Sequence, residues 1–326
     1  LPALTSLGGL ECTDNAALAD VQIQSLGNVS GEFKAQWNAS PHTWNLASLK
    51  TVGGSLIVSS NPGTTELRVP SLESIGDFFG LEGNASLMLV ETPALKDVGG
   101  NLYVSDNAAL ASLSFPELIE CGGTVGFYDG NPGLQSFELP KLKAVGGTFY
   151  IYENHNLVSF DLDQLETAKG SIIVTNNLSL PSFALPEVST IGLEPDDESL
   201  GGNLYVTGND ILTHFDVPKL TEIGDFLEVN SNLVLTSMTY PLMGSIGKGM
   251  RILNNPLLDT WDVSALNSVG TNLRVEFNAS FPECLAADLA ATLQSLGALG
   301  GLYHSSGNNE SCVCNEVDGV LEASCP

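Results

Sequence analysis

The chain has 326 residues, of which 38 are acidic and 11 basic, for a net charge of −27. So acidic a balance argues against nucleic acid and against an anionic membrane surface, since both are bound through clustered Lys and Arg. A hydrophobic content of 43% suffices for a core, no window reaches the roughly 18 apolar residues of a membrane span, and six cysteines are too few to scaffold a chain this long.

The chain opens on Leu1-Pro2-Ala3-Leu4, which matches the second half of a unit that recurs downstream as Phe115-Pro116-Glu117-Leu118. It lacks an initiating Met, a signal peptide and a C-terminal hydrophobic tail, so a mature or trimmed segment is expected, starting inside a coil. The best-formed unit runs Gly99-Gly100-Asn101-Leu102-Tyr103-Val104-Ser105-Asp106-Asn107, then Leu110, Leu113, Phe115, Pro116, Leu118 and Cys121. It returns at Gly53, Gly76, Gly122, Gly146, Lys169, Gly201, Gly224, Gly247 and Gly270. One asparagine marks the phase: Asn15, Asn38, Asn61, Asn84, Asn107, Asn131, Asn154, Asn177, Asn209, Asn232, Asn255 and Asn278. The steps are 23 residues, except 24 into Asn131 and 32 into Asn209.

A unit of this size cannot bury its own apolar face, whereas stacked units bury a continuous one, so the chain reads as a solenoid. The Gly pair makes a tight turn before a strand. Leu102 and Val104 then point inward, and Tyr103 and Ser105 outward. A second short strand, of the type Phe137-Glu138-Leu139-Pro140, ends at a proline suited to a corner. Two strands and a long helix do not fit in 23 residues, which favours a β-helix-like stack. The asparagines read as a structural ladder, because an amide both donates and accepts hydrogen bonds and can satisfy its own coil and its neighbour.

The 32-residue step holds an extra loop near 192–200, Leu193-Glu194-Pro195-Asp196-Asp197-Glu198-Ser199. Its acids read as a solvated loop, with weak calcium binding the rival. Solenoid over 1–280, in about twelve coils, is followed by a cap over 281–326, the whole forming one continuous domain. Residues 283–297 are Ala/Leu-rich, with Leu285, Leu289, Leu293 and Leu296 on one helical face. Cys284, Cys312, Cys314 and Cys325 suggest two disulfides among three possible pairings, with Cys312 and Cys314 bonded elsewhere than to each other. Their spacing is not that of a zinc knuckle, so no metal is expected. Cys12 and Cys121 are expected to be buried and unpaired.

Six sequons occur, at Asn28, Asn38, Asn84, Asn177, Asn278 and Asn309. With a disulfide-bonded cap they favour a secreted glycoprotein. Asn28 and Asn309 are the better acceptors. The other four fall in the asparagine column, where burial and a glycan compete.

The phrase Gly-Gly-x-Leu-x-Val-x-x-Asn-x-x-Leu, followed by Leu/Phe-x-Leu-Pro-x-Leu-x-x-Val, resembles the receptor L-domain repeat. It is most similar to the fungal GPI-anchored cell-wall organisation glycoproteins, and the resemblance covers nearly the whole chain. It implies an all-β solenoid, a right-handed β-helix of receptor-L-domain or leucine-rich-repeat-like coils with period 23 and a C-terminal helical, disulfide-bonded cap. It also implies an extracellular, secreted or cell-surface protein without known catalysis, anchored by a part outside this segment.

No chemistry emerges from the residues. His42, His155, His214 and His304 are scattered, and no Gly-x-Ser-x-Gly, phosphate loop or His-Glu-x-x-His occurs. Glu82, Glu228 and Glu276 project from separated coils and read as solvated acids. No enzyme, cofactor or metal is expected. One surface feature stands out: the outward position after the first inward residue reads Tyr103, then a one-residue slip to Tyr128, then Tyr150, Ile173 and Tyr205, with Tyr152 beside it. Such a stripe suits a glycan or protein partner from a cell wall or matrix. Self-assembly into a filament and a receptor ectodomain are the alternative readings, and a glycan-active enzyme is the last.

Overall fold

The computed structural model describes residues 4–18, 21, 23–40, 42–128, 130–193, 201–317 and 320–325. The first three residues and residues 194–200, which carry the open-coil and calcium readings, lie outside the described residues. The chain is an all-parallel β-solenoid of about 11 coils. It groups into two compact units, Leu1–Ala168 and Lys169–Pro326.

From Asn28 onward, each complete coil of the first unit has three short strands where the repeat suggested two. The coil around Gly99 shows why. A two-residue strand, Asp97–Val98, precedes the glycine pair and buries Val98. Leu102–Ser105 follows the pair and buries Leu102 and Val104. Ser112–Ser114 then buries Leu113, and Phe115 and Leu118 close the corner around Pro116. Burying a side chain of this size contributes about 1.5–3 kcal/mol, so each coil depends on its neighbours covering these residues. The strands pair in parallel and in register one repeat apart: Asp97 lies opposite Ser74 and Glu120, and Leu102 opposite Phe79 and Val125. At most coils the stack dictates the first glycine of this pair. A Cβ on Gly122 would run into the carbonyl oxygen of Gly99 in the coil beneath.

The asparagine ladder forms as the residues implied. The amide nitrogen of Asn84 donates to Asn107 Oδ1 at 3.2 Å, and its Nδ2 donates to Val58 O at 2.8 Å. Asn107 repeats the pattern, with its backbone N bonded to Asn131 Oδ1 at 3.2 Å and Nδ2 to Leu81 O at 2.8 Å. From Asn38 to Asn154 the rungs are wholly buried, whereas Asn15 is exposed. Each rung is preceded by a residue with positive φ, among them Asp14, Trp37, Ser60, Gly83, Asp106, Gly130 and Glu153. This left-handed step swings the chain from the four-residue strand into the ladder turn.

The second unit repeats the design from Lys169. Its ladder runs from Asn177 through Asn209, Asn232 and Asn255 to Asn278, all buried. The extra residues before Asn209 leave the ladder unbroken, since Asn177 N still bonds to Asn209 Oδ1 at 3.0 Å.

The expected cap contains one more turn of the solenoid. The helix Glu283–Ser295 buries Ala286, Leu289, Ala290 and Leu293. Leu296, expected on that face, follows the helix and is 61% exposed. Beyond it, Tyr303–Ser306 pairs in parallel with Leu273–Glu276, and Asn308 adds a rung by accepting from Asn278 N at 3.0 Å. An antiparallel hairpin, Val313–Val317 with Val320–Ser324, completes the region. The disulfides are Cys284–Cys314 and Cys312–Cys325. Cys121 is buried and unpaired as expected, and burial pushes its thiol up to about 11. Cys12 departs from expectation, being only half-buried, because it faces inward from a first coil that has a neighbour on one side among the described residues. Among the described residues no helix is long and apolar enough to cross a membrane.

Candidate interaction face

The four-residue strands of the first unit carry most of the expected stripe, in an arrangement that differs from a single column. The register contains no slip. Gly126 lies opposite both Tyr103 and Tyr150, and Tyr128 lies opposite Ser105. Ser105 itself is buried rather than outward-facing in solvent. Tyr128 reaches the stripe by folding its ring back over Gly126. A Cβ on Gly126 would sit 2.7 Å from Tyr128 Cδ1 and 3.2 Å from Tyr103 Cδ1. A side chain there would displace both rings.

The same device operates one step earlier and involves a residue that the repeat pattern did not point to. Phe78 precedes the strand Phe79–Glu82, and its ring covers Gly80, whose added Cβ would lie 2.5 Å from Phe78 Cε1. Phe78 meets Tyr103 edge-on at 5.4 Å, and Tyr103 meets Tyr128 edge-on at 5.2 Å. These are favourable aromatic geometries, each contributing roughly 0.5–1.5 kcal/mol beyond area burial. The signal in the sequence was the glycine itself. Gly80 and Gly126 stand in a column otherwise filled by large side chains, which marks room for a neighbouring ring.

The result is a continuous aromatic surface of Phe78, Tyr103 and Tyr128. Tyr150 lies in the same strand column, 36% exposed, and the half-buried Tyr152 ends its strand. Burial raises the Tyr103 hydroxyl above its ordinary range, partly offset by its hydrogen bond with Thr124. Burial also raises the Glu82 carboxyl at the border, with Asp106 adding to the effect. No Lys or Arg occurs among the column residues Ile57, Gly80, Tyr103, Gly126 and Tyr150. The surface can therefore stack on a flat, weakly polar partner and bond to its hydroxyls or amides, while its acidic border repels anions.

In the second unit the column begins with Ile173 opposite Tyr205. It then becomes charged. Glu228 lies opposite Tyr205, and Arg251 bonds to Glu228 at 3.2 Å while its guanidinium sits 4.3 Å from the Phe226 ring centre. Burial raises the Tyr205 hydroxyl, with Glu228 adding to the shift. Ile173 and Tyr205 are thus a short apolar pair beside an ion-paired stretch. Glu82, Glu228 and Glu276 come from separate strands, as expected.

The ladder positions settle the geometry of four sequons. Asn38, Asn84, Asn177 and Asn278 are all fully buried. The Nδ2 of Asn38, Asn84 and Asn278 donates to a backbone carbonyl of a neighbouring coil. That of Asn177 donates to Thr175 O and to Asn209 Oδ1. A glycan on any of these atoms would break a rung. Asn28 is exposed at the start of the strand Asn28–Val29, and Asn309 is half-buried outside the ladder. Among the described residues no group of three or more His, Cys, Asp or Glu side chains is placed to hold a metal ion. Compared with known families and curated proteins, the chain matches no family model and no curated sequence.

Proposed function

We propose that the protein is a non-catalytic, extracellular structural or interaction glycoprotein of a cell surface, wall or matrix, which engages a glycan or protein partner through the aromatic face of its first unit. The observation that carries this reading is the surface of Phe78, Tyr103 and Tyr128, built over Gly80 and Gly126. Large side chains that only filled an exposed strand would not need glycines beneath them. Two disulfides support an oxidising compartment. The resemblance to wall-organisation glycoproteins supports the same setting. The stretch of the column from Ile57 to Tyr150 carries no cation and has an acidic border, which favours a neutral or basic partner over an anionic one.

The test is a triple substitution, Tyr103→Ser, Tyr128→Ser and Tyr150→Ser, assayed against purified wall and matrix polysaccharides and matrix protein fractions. These residues face outward, so the circular dichroism spectrum should be retained. Binding should fall by at least about tenfold, the scale of losing one buried aromatic contact. Unchanged binding by a folded triple variant refutes the face.

A further inference from the structure

Between the last three-residue strand of the solenoid and the cap lies a cleft of about 1160 Å³. One wall is the strand Thr260–Asp262 with its neighbour Asp259. The opposite wall is the helix, through Leu285, Asp288, Leu289 and Thr292. The half-buried Trp261 forms an aromatic platform, held by Phe281 at 4.6 Å between ring centres. Among the described residues, the carboxylates of Asp259, Asp262 and Asp288 line the cleft, and no Lys, Arg or His does. Asp262 uses Oδ1 to accept from Ser264 N at 3.0 Å, which fixes its carboxylate at the cleft. An indole face with carboxylate acceptors beside it suits a neutral saccharide, whose ring hydrogens stack and whose hydroxyls donate. An anionic sugar would be repelled.

The sixth sequon opens into this same cleft. Asn309 lines it, and its backbone is fixed on both sides: Asn309 N donates to Phe281 O at 2.8 Å and Glu283 N donates to Asn309 O at 3.1 Å. Its Oδ1 accepts from Ser311 N at 3.1 Å and Ser311 Oγ at 2.6 Å. Its Nδ2 makes no bond among the described residues, unlike the Nδ2 of the ladder sequons. The neighbouring Asn308, not Asn309, supplies the ladder rung, with Nδ2 donating to Val275 O at 2.6 Å.

We propose that Asn309 carries an N-linked neutral oligosaccharide whose first sugars lie in this cleft, stacked on Trp261 and bonded to Asp259, Asp262 and Asp288. The inference rests on the secreted reading given above. In the attachment step Nδ2 attacks the anomeric carbon of a polyprenyl-pyrophosphate-linked oligosaccharide. The nitrogen–carbon bond forms, the carbon–oxygen bond to pyrophosphate breaks, the lipid pyrophosphate leaves with the electron pair, and Nδ2 gives up one proton. No electrons are gained or lost. Asn309 and Trp261 both line the cleft, so the sugar links the segment after the strand Tyr303–Ser306 to the strand Thr260–Asp262.

The test uses the full chain secreted from a eukaryotic host. Glycopeptide mass spectrometry reads occupancy at Asn28 and Asn309. Hydrogen exchange reads the helix and the strand Thr260–Asp262 in the unmodified sequence and in Asn309→Gln, Ser311→Ala and Trp261→Ala. Asn309 should be occupied. Both sequon variants should speed exchange at these elements by about tenfold. Trp261→Ala should do the same while Asn309 stays occupied. An empty Asn309 with an occupied Asn28 overturns the inference and leaves the secreted reading standing. Both sites empty overturns both. An occupied Asn309 whose removal leaves exchange unchanged shows a glycan pointing into solvent and overturns the docking.

Discussion

At the scale of single residues the fold depends on polar groups that are buried and paired. A ladder asparagine such as Asn107 donates through its backbone and side chain and accepts through Oδ1, so no part of it is left unbonded. Tyr240 is the contrast. It occupies an inward position filled elsewhere by Phe115, Leu139, Leu185 and Val217, and its hydroxyl is buried without a partner among the described residues. Burial alone raises that hydroxyl well above its ordinary range. An unbonded buried hydroxyl costs on the order of 1–3 kcal/mol, and phenylalanine fills the same space without it. Tyr240→Phe is therefore expected to stabilise the protein by about 1 kcal/mol in a chemical denaturation experiment. A loss of stability would show that the hydroxyl has a partner in solution. The ladder was legible because an asparagine that returns at a fixed step meets the same surroundings in every coil. Tyr240 was not, since tyrosine at an inward position looks like any other large side chain.

At the scale of elements the cap shows how a solenoid ends. The carboxylate of Glu283, in the first turn of the helix, accepts from Tyr303 Oη at 2.8 Å, from Ser305 Oγ and from Asn308 Nδ2 at 2.8 Å. One side chain thus satisfies the final coil where no further coil follows among the described residues. Burial pushes the Tyr303 hydroxyl up to about 12. An unfolded tyrosine loses its proton near pH 10, whereas the folded one holds it to about pH 12, so stability falls as pH rises through this window. Alkaline titration should loosen the strand Tyr303–Ser306 before the central coils, as read by hydrogen exchange. Tyr303→Phe should remove this pH dependence, and an identical alkaline profile in that variant would refute the assignment. This final coil was hidden in the sequence for a physical reason. Gly300-Gly301-Leu302-Tyr303-His304-Ser305 has the glycine pair, but Tyr303 and Ser305 stand where Leu and Val are expected. Polar residues fit there only because Glu283 bonds to them. The two-residue strands were also missed, being too short to show a period. Cysteine spacing limited the disulfides to three pairings, and only the fold of the hairpin selects Cys284–Cys314 with Cys312–Cys325.

At the scale of the whole molecule charge opposes packing. Ion pairs such as Lys96–Glu73, Lys141–Glu117 and Lys219–Glu187 link one coil to the next, but both partners are exposed and each contributes little. The net charge of −27 remains as self-repulsion that the core must overcome. Raising sodium chloride from about 0.02 to 0.5 M shortens the Debye length to a few ångströms and should raise Tm by about 2–4 °C, the shift expected for roughly 1 kcal/mol in units of this size. A fall in Tm would mean that the ion pairs outweigh the repulsion. The in-register stack has a further consequence, for ancestry. Because most coils offer their neighbour the same glycine step, apolar inward rows and an amide rung, duplicating or deleting one complete repeat among such coils leaves junctions of the same chemical kind. Unequal recombination between repeats could therefore lengthen or shorten such a gene without a misfolded intermediate. An insertion of any other length survives only where the rungs on either side of it still meet, as Asn177 and Asn209 do.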